Sequence, residues 1–371
     1  ILNISKSDDT NVLVKALSAK SSNVDIHHAG TAMRFLTAFF AISKEKEITL
    51  TGSTRMQNRP IKILVDALIS VGADIKYLNK TGFPPLLIKG KEFNNNELSL
   101  NSNVSSQYIS ALLLMATKLE NGLKLHLEGK ITSVPYIKMT LSLLNQLGVE
   151  TSFEGQVIQV KPYLETVSKT FIVESDWSSA SYFYSIVALS PVGTQINLST
   201  YKKDSLQGDA VLQEIYTHLG VQTSFEGSKI NLKKINSDLP KSLDLDLANA
   251  PDIAQTIVVT CLGLQIKCNL TGLHTLKIKE TDRLEALKNE IYKFGTAIDI
   301  TDDSLHLSDH KPLKSGAVVE TYNDHRMAMA FAPLALKTSF SIKEAEVVSK
   351  SFPDFWDNLV ELGFNTFESE K

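Results

Sequence analysis

The feature that most constrains the fold of this 371-residue chain is an internal repeat. The segments Leu147–Gly155 and Leu219–Gly227 are nearly identical, and three weaker copies carry a glycine at the same place. Successive glycines are 76, 72, 75 and 68 residues apart: Gly72, Gly148, Gly220, Gly295 and Gly363. A period this regular predicts an architecture in which one supersecondary unit is used several times.

Each copy has the same internal order. An amphipathic segment ends at the glycine, where a helix C-terminus favours a left-handed residue: Ile61–Val71, Ile137–Leu147, Ala210–Leu219, Arg283–Phe294 and Phe355–Leu362. Alternating strand-like segments follow in all but the last copy, for example Val157–Val160 and Lys229–Leu232. A second helix then begins after a polar N-cap candidate: Gly30-Thr31, Ser105-Ser106, Ser178-Ser179, Pro251-Asp252 and Asn323-Asp324. Because these second helices are apolar nearly all round, we expect them to be buried.

The repeat also predicts the domain organisation. A chain of this length exceeds what one hydrophobic core supports, so two domains are expected. Five units are visible, the first without its front half, and a sixth would complete a chain of about 420 residues with three units in each domain. The break is expected near Thr170–Glu174, which gives one domain over 1–173, with an incomplete first repeat, and another over 174–371.

Composition narrows the class of protein. The formal net charge of −3 argues against a nucleic-acid partner. The chain has no run of about 18 apolar residues, so no membrane span is expected. Cys261 and Cys268, the only cysteines, lie among apolar residues. We expect buried free thiols there, rather than a disulfide or a catalytic nucleophile.

Cations recur at the turns that lead into the helices, where free N–H groups and the helix dipole favour anions. They are Arg55, Arg59, Lys202, Lys203, Lys279, Arg283, Arg326 and Lys350. Any one of them could equally be a solvated surface residue. Their recurrence in successive repeats predicts one electropositive cleft between the domains, suited to a small ligand with several negative charges.

Seven motifs occur in the order and spacing of one known family. They are Gly30-Thr-Ala-Met-Arg34, Leu50-Thr-Gly-Ser-Thr-Arg-Met-Gln-Asn-Arg-Pro-Ile61, Ser105-Ser-Gln107, Ser133-Val-Pro-Tyr-Ile137, Lys279-Glu-Thr-Asp-Arg283, Thr321-Tyr-Asn-Asp-His-Arg-Met327 and Lys350-Ser-Phe-Pro-Asp354. The set resembles the signature of the 5-enolpyruvylshikimate-3-phosphate synthase family. The resemblance implies an α/β fold of two domains, each a pseudo-threefold βαβαββ repeat (an inside-out α/β barrel), with a cleft between them. It also implies transfer of the enolpyruvyl group of phosphoenolpyruvate to the 5-hydroxyl of shikimate-3-phosphate, with release of phosphate, in aromatic amino-acid biosynthesis.

Roles follow from the resemblance, position by position. The phosphoenolpyruvate site would contain Gly30, Arg59, Gln107, Arg283, Arg326 and Lys350. The shikimate-3-phosphate site would contain Ser105, Ser106, Gln107, Ser133, Tyr136, Asp252, Thr275 and Lys279. Arginine suits such ligands because its planar fork binds a carboxylate or a phosphate through two nitrogens. Ser105-Ser106 as a plain N-cap, Gly30 as a helix-start glycine and Tyr136 as a core residue are the structural alternatives.

The reaction needs one proton removed from the 5-hydroxyl and one delivered to the methylene of phosphoenolpyruvate. The resemblance assigns these tasks to Asp252, as base, and Glu280, as proton donor. From the residues alone, Asp252 is a helix N-cap and Glu280 is half of an ion pair with Lys279 or Arg283. His325 could be catalytic or simply the first residue of a helix, and it is given no proton-transfer role.

The sequence also departs from the family pattern. A Lys-Ser-x-Ser-x-Arg segment that opens the family has no counterpart here, so activity of the 371 residues by themselves is an open question. Thr275 and His28 stand where the family commonly has asparagine. The rival interpretations are a cell-wall enolpyruvyl transferase acting on UDP-N-acetylglucosamine, which carries a reactive loop cysteine, and a non-catalytic phosphate-binding relative. The resemblance further implies no cofactor and no metal, a monomer in the cytoplasm, and a target of glyphosate.

Overall fold

The computed structural model describes residues 1–93, 95–101, 105–129, 131, 133–163, 168–309 and 311–368. The chain divides into two compact units. The first consists of residues 1–4 and 8–172, and the second of residues 5–7 and 173–371.

The first unit repeats a strand–helix–strand–helix–hairpin pattern twice after an initial helix, α1 (Asp8–Leu17). The first copy contains β1 (Asn23–Asp25), α2 (Gly30–Ala41), β2 (Glu47–Thr51), α3 (Lys62–Ser70), β3 (Asp74–Tyr77) and β4 (Leu86–Lys89). The second contains β5 (Glu97–Asn101), α4 (Ser106–Ala116), β6 (Leu123–Glu128), α5 (Val134–Leu147), β7 (Thr151–Glu154) and β8 (Val157–Val160). The sheets have the strand orders β1-β2-β4-β3 and β5-β6-β8-β7. In each, the first two strands are parallel and joined by a helix, as parallel neighbours require.

The second unit continues the same pattern. Its first copy contains α6 (Trp177–Leu189), β9 (Gln195–Ser199), α7 (Leu212–His218), β10 (Val221–Glu226) and β11 (Lys229–Lys234). The next contains β12 (Ser242–Asp246), α8 (Ala254–Leu264), β13 (Lys267–Thr271), α9 (Arg283–Lys293), β14 (Asp299–Ile300) and β15 (Leu305–Leu307). The last contains β16 (Ala317–Val319), α10 (His325–Phe331), β17 (Phe340–Ile342) and α11 (Phe355–Glu361). The order β12-β13-β15-β14 matches the sheets of the first unit, so the predicted repeat is confirmed at the level of sheet topology.

The five repeat glycines end the amphipathic helices as predicted. Each has a positive φ, between 78° and 120°. An L side chain is disfavoured in that region, which explains why glycine recurs at this point of the period.

The second helices are buried, also as predicted. All residues of α6 except Ser179 are buried, and α8 is buried from its start through Leu262. Hydroxyl groups between these two helices bond to one another: Ser181 to Thr256 at 2.9 Å, and Thr260 to Ser185 at 2.8 Å. Each of these four buried hydroxyls therefore has a hydrogen-bond partner inside the core, as buried polar groups require.

The predicted N-caps are only partly correct. Ser105 caps α4, and Asp324 caps α10 by accepting from the Arg326 N–H at 2.9 Å. The cap of α6 is Asp176, two residues before the predicted pair, because its carboxylate accepts from two backbone N–H groups at once. The prediction was wrong for Gly30-Thr31, since α2 follows Ala29 with no side-chain cap.

Candidate active site

Helix starts in the second unit position a cluster of charged side chains. Arg283 is the first residue of α9, and Asp324 is the N-cap of α10. Asp252 lies in a 3-10 turn, Pro251–Ile253, which leads into α8 and makes no side-chain cap bond. The interpretation of Asp252 as a plain helix N-cap was therefore wrong, and its carboxylate is available for other contacts.

Arg283 is the centre of this cluster and is only 1% exposed. Its Nε donates to Asp324 Oδ2 at 2.7 Å, and its Nη1 donates to Asp252 Oδ1 at 2.9 Å. Its Nη2 donates to Glu280 Oε2 at 3.0 Å. Burial lowers the pKa of Arg283, but the carboxylates of Asp324, Glu280 and Asp252 outweigh burial and raise it above its usual value. One guanidinium thus binds three carboxylates.

Further cations contact Asp252 and Glu280, the two carboxylates expected to transfer protons. Lys350, 6% exposed, donates to Glu280 Oε1. Asp252 Oδ1 lies 3.3 Å from Lys279 Nζ, and Asp252 Oδ2 lies 3.6 Å from Arg326 Nη2. Burial raises the pKa of Asp252, but the charges of Lys279, Arg326 and Arg283 lower it by more than burial raises it. The pKa of Asp252 therefore lies well below the usual range.

The cluster is nearly balanced in charge. Four cations face three carboxylates: Lys279, Arg283, Arg326 and Lys350 against Asp252, Glu280 and Asp324. Among the other cations of the sequence analysis, Arg59 belongs to the first unit, and Arg55, Lys202 and Lys203 are exposed. An anion that enters this cluster must therefore compete with the carboxylates already bound to its cations.

The turn before α10 is braced by α9. Tyr322 and Asn323 both have φ of 55°, a left-handed conformation that costs free energy in residues with side chains. Glu290, a fully buried residue of α9, accepts from the Tyr322 hydroxyl at 2.7 Å and from the Glu320 N–H at 2.9 Å. Burial and then Glu290 raise the pKa of Tyr322 to about 12, so the phenol keeps its proton. Helix α9 therefore contacts this turn at two points: Glu290 binds its start, and Arg283 binds Asp324 at its end.

His325 borders the cluster and is 5% exposed. Burial, followed by the charges of Lys350 and Arg326, lowers its pKa well below the usual value, so the ring is neutral at physiological pH. Its Nδ1 lies 3.7 Å from Asp324 Oδ1 and has no hydrogen-bond partner among the described residues. A neutral ring with one unsatisfied nitrogen suits contact with a polar ligand.

Thr275 carries a second unsatisfied group. It lies in the 3-10 helix His274–Ile278, and its Oγ1 is buried with no hydrogen-bond partner in the described part of the chain. A buried hydroxyl without a partner costs free energy unless a ligand satisfies it. This position was one of those predicted to contact shikimate-3-phosphate.

In the first unit, Gly30 and Arg59 meet at the start of α2. A β-carbon added to Gly30 would lie 2.6 Å from Nη1 of Arg59 and 3.2 Å from Nη1 of Arg34. Arg34 donates to the Gly30 carbonyl at 2.8 Å. A side chain at this position would therefore displace the guanidinium of Arg59, a consequence that was not deducible from the helix-start position alone.

The start of α4 lies beside the start of α2. Gln107 Nε2 donates to Thr31 Oγ1 at 3.0 Å, and Ser105 Oγ accepts from the Gln107 N–H at 3.4 Å. Ser106 is the first residue of α4 and is half-buried. Ser105 therefore caps α4, and the Ser105 and Ser106 hydroxyls and the first-turn N–H groups are together candidate phosphate donors.

Ser133 immediately precedes α5 in a left-handed conformation, with φ 53° and ψ 37°, and is 7% exposed. It makes no side-chain cap bond. Tyr136, in the first turn of α5, is half-buried. Residues held in a strained backbone conformation cluster at ligand-binding sites, and the conformation of Ser133 agrees with its predicted role.

Several other expectations can be compared directly. Cys261 and Cys268 are buried free thiols, as predicted, so neither resembles a reactive cysteine in a mobile loop. In the part of the chain that the structure describes, no group of three or more histidine, cysteine or acidic side chains could hold a metal ion. No helix within the described ranges has the length and apolar character needed to cross a membrane.

Comparison with known proteins identifies the family. The family model of EPSP synthase (3-phosphoshikimate 1-carboxyvinyltransferase) matches residues 4–359. A 3-phosphoshikimate 1-carboxyvinyltransferase of Bacteroides fragilis is 48% identical over 366 residues, which covers 98% of this chain and 88% of the relative. The enzyme of the same name from Pasteurella multocida is 36% identical and covers 90% of this chain and 77% of the relative.

Solved structures support the same fold. Two structures of EPSP synthase from Acinetobacter baumannii align with TM-scores of 0.73 and 0.74, at 23% identity. They cover 92% and 95% of this chain, and 79% and 81% of the solved chains. The fold class expected from the seven motifs is therefore confirmed, and the chain belongs to the EPSP synthase (3-phosphoshikimate 1-carboxyvinyltransferase) family.

Proposed function

We propose that this chain transfers the enolpyruvyl group of phosphoenolpyruvate to the 5-hydroxyl of shikimate-3-phosphate in aromatic amino-acid biosynthesis. The hydroxyl oxygen attacks C2 of phosphoenolpyruvate and loses its proton, while C3 gains a proton and becomes a methyl group. The tetrahedral adduct then loses a methyl proton and its phosphate, which restores the double bond. The products are inorganic phosphate and the enol ether.

One observation carries this proposal beyond family membership. The Arg283 guanidinium binds the carboxylates of Asp252 and Glu280 at 2.9 and 3.0 Å, which places the two expected acid–base groups on opposite nitrogens of one fork. These carboxylates also contact Lys279, Arg326 and Lys350, cations whose proposed partners are the anionic groups of the substrates. Two carboxyl groups in different electrostatic surroundings can divide the removal of one proton and the delivery of another between them.

Asp252 is a weak base while three cations surround it, since its pKa lies well below the usual range. A substrate phosphate or carboxylate that binds Lys279 or Arg326 would take positive charge away from Asp252. The pKa of Asp252 would then rise toward that of an ordinary carboxylate, which accepts a proton more readily. We infer that substrate binding itself activates Asp252, so that the base is strong only when its substrate is present.

Glu280 has a parallel arrangement. Lys350 and Arg283 bind its two oxygens, and both cations are among those assigned to phosphoenolpyruvate. Transfer of these cations to the ligand would leave Glu280 free to carry a proton to the methylene carbon. The same exchange of partners thus prepares the base and the acid.

The remaining roles are assigned by motif and supported by local geometry. Gly30, Arg59 and Gln107 would contact phosphoenolpyruvate; Ser105, Ser106, Gln107, Ser133, Tyr136, Thr275 and Lys279 would contact shikimate-3-phosphate. The two compact units, which meet between residues 172 and 173, would correspond to the two domains expected over 1–173 and 174–371. A monomer acting in the cytoplasm is also proposed, and light scattering of the active protein tests the first half of that statement.

Phosphate release from phosphoenolpyruvate and shikimate-3-phosphate tests the function. Asp252→Asn and Glu280→Gln keep side-chain size but remove the ionisable group, so kcat should fall about 100-fold or more. Glu320→Gln is the matched control, because Glu320 is a carboxylate of the same unit that pairs with the exposed Lys343. Equal activity in all three variants would assign proton transfer to other residues. No phosphate release by the unmodified protein would favour the non-catalytic binding relative.

A further inference from the structure

The second unit contains a buried acid that the reaction scheme leaves unused. Asp209 lies in the 3-10 helix Gly208–Val211 before α7 and is 3% exposed. Its Oδ2 accepts a hydrogen bond from the Ser178 hydroxyl. Its Oδ1 is buried and has no hydrogen-bond partner within the described ranges. A carboxyl group half satisfied in the interior is costly, so its retention calls for an explanation.

Ser178 connects this acid to the candidate active site. It lies in the first turn of α6 and is 4% exposed. Its Oγ accepts from Nη2 of Arg326 at 3.3 Å while donating to Asp209. The same Arg326 Nη2 lies 3.6 Å from Asp252 Oδ2, and Nη1 donates to the Asp252 carbonyl at 3.4 Å. A continuous line of contacts therefore runs from Asp209 through Ser178 and Arg326 to Asp252.

The charges around Asp209 place its titration near neutrality. Burial is the largest effect and raises its pKa, and the charge of Asp252 raises it further. The Ser178 hydrogen bond and the charge of Arg326 lower it, while Asp176 raises it. The result is a pKa of about 7, against an ordinary value of 3.8. These opposing effects leave both protonation states of Asp209 accessible near neutral pH.

We propose that Asp209 is a positioning residue for Arg326, acting through the Ser178 hydroxyl, and that it takes up a proton when an anionic substrate group binds Arg326. The inference rests on the proposed function, in which Arg326 binds phosphoenolpyruvate. Ionised Asp209 orients Ser178 as an acceptor and so fixes one edge of the guanidinium. A substrate anion on Arg326 adds a second negative charge nearby, and protonation of Asp209 removes the repulsion between them.

The sign of the pH effect follows from this linkage. Below about pH 6, Asp209 is already neutral and phosphoenolpyruvate binds without proton uptake. Above about pH 8, binding must either draw a proton onto Asp209 or tolerate its charge, so the affinity contribution of this site falls as pH rises through 7. Asp209→Asn keeps an acceptor for Ser178 but cannot titrate, whereas Asp209→Leu removes both properties.

The test is KM for phosphoenolpyruvate, measured between pH 6 and 8.5 by phosphate release. The wild-type to Asp209→Asn ratio of KM cancels the ionisation of the ligand itself. It should be near 1 at pH 6 and rise by about three- to tenfold at pH 8.5. Relative to Asp209→Asn, which likewise carries no charge, Asp209→Leu should raise KM by about tenfold across the whole range, with kcat changed less.

Two results would overturn the proposal in an active enzyme. A KM ratio that is constant from pH 6 to 8.5 would remove the proton uptake, and equal KM values for Asp209→Leu and Asp209→Asn would remove the positioning role. Failure of the wild-type protein to release phosphate would instead sink the proposed function. A thermal melt accompanies each assay to show that the variant is folded. If the Leu variant is unfolded, the pH dependence of KM in the Asn variant decides the proposal. The melting temperature of Asp209→Asn relative to wild type should itself rise between pH 5 and 8, because the wild-type protein must bury a charge at the higher pH.

Discussion

Replacement of Arg283 by methionine should lower the unfolding free energy of the second unit far more than the loss of a single surface ion pair does. Methionine keeps an unbranched apolar stem but removes the guanidinium that binds Asp324, Asp252 and Glu280. Asp324 has no exposed side-chain surface, and Arg283 is 1% exposed, so water cannot replace the lost partner. Removal of one member of a buried ion pair costs roughly 3–5 kcal/mol of unfolding free energy.

The matched control is Lys343→Met in the same unit. Lys343 pairs with Glu320 at 2.6 Å, but the two side chains are 58% and 42% exposed. Pairs of this kind contribute about 0–1 kcal/mol. Urea unfolding followed by tryptophan fluorescence provides the assay, because Trp177 and Trp356, the only tryptophans, both belong to the second unit.

The cost of Arg283→Met should also depend on pH. Arg283 is one of three cations that hold the pKa of Asp252 well below its usual range, so its removal raises that pKa and lets a proton neutralise Asp252 more readily at low pH. The loss of unfolding free energy should therefore be smaller at pH 5 than at pH 8. A loss below about 1 kcal/mol at both pH values, equal to that of the surface control, would refute the view that these charges hold one another in place.

Two further substitutions test separate parts of the site. Gly30→Ala places a methyl group 2.6 Å from Arg59 Nη1, so KM for phosphoenolpyruvate should rise about tenfold or more while the melting temperature changes little; an unchanged KM would show that this guanidinium does not bind the substrate. Thr275→Val removes a buried hydroxyl that has no partner among the described residues. Stability should stay equal or increase slightly, while KM for shikimate-3-phosphate rises, and a fall in stability with unchanged KM would mean that the hydroxyl serves the fold.

Local rules made the repeat predictable. The left-handed glycine at each helix end and the apolar second helix depend on the chain within a few residues, so they are visible in the sequence. Helix starts were harder. The cap of α6 is Asp176 rather than Ser178-Ser179, because any of several neighbouring polar residues could satisfy the first N–H groups.

The chemistry of the site was predictable only in part. The motifs brought Asp252, Glu280 and Arg283 into one hypothesis, and the structure places all three in contact. Motifs do not show how many charged groups surround a residue or how far they shift its pKa. Three cations surround Asp252, and one of them, Arg326, is distant from it in the chain. Asp209 carried no signal at all, since an acid before an amphipathic helix ordinarily faces solvent and only tertiary packing buries it.

The brace of α9 on the turn before α10 has a consequence for the rate at which a ligand binds. Glu290 accepts a hydrogen bond from Tyr322 and so holds this strained turn through a contact within the protein, and the turn therefore needs no ordering when a substrate enters. The conformational entropy of the turn is lost during folding and not during binding. We therefore expect association at Arg326 to be limited by diffusion and by exchange of ion-pair partners rather than by loop closure. Stopped-flow measurement of the binding rate would then show a dependence on ionic strength and little dependence on solvent viscosity beyond that of diffusion itself.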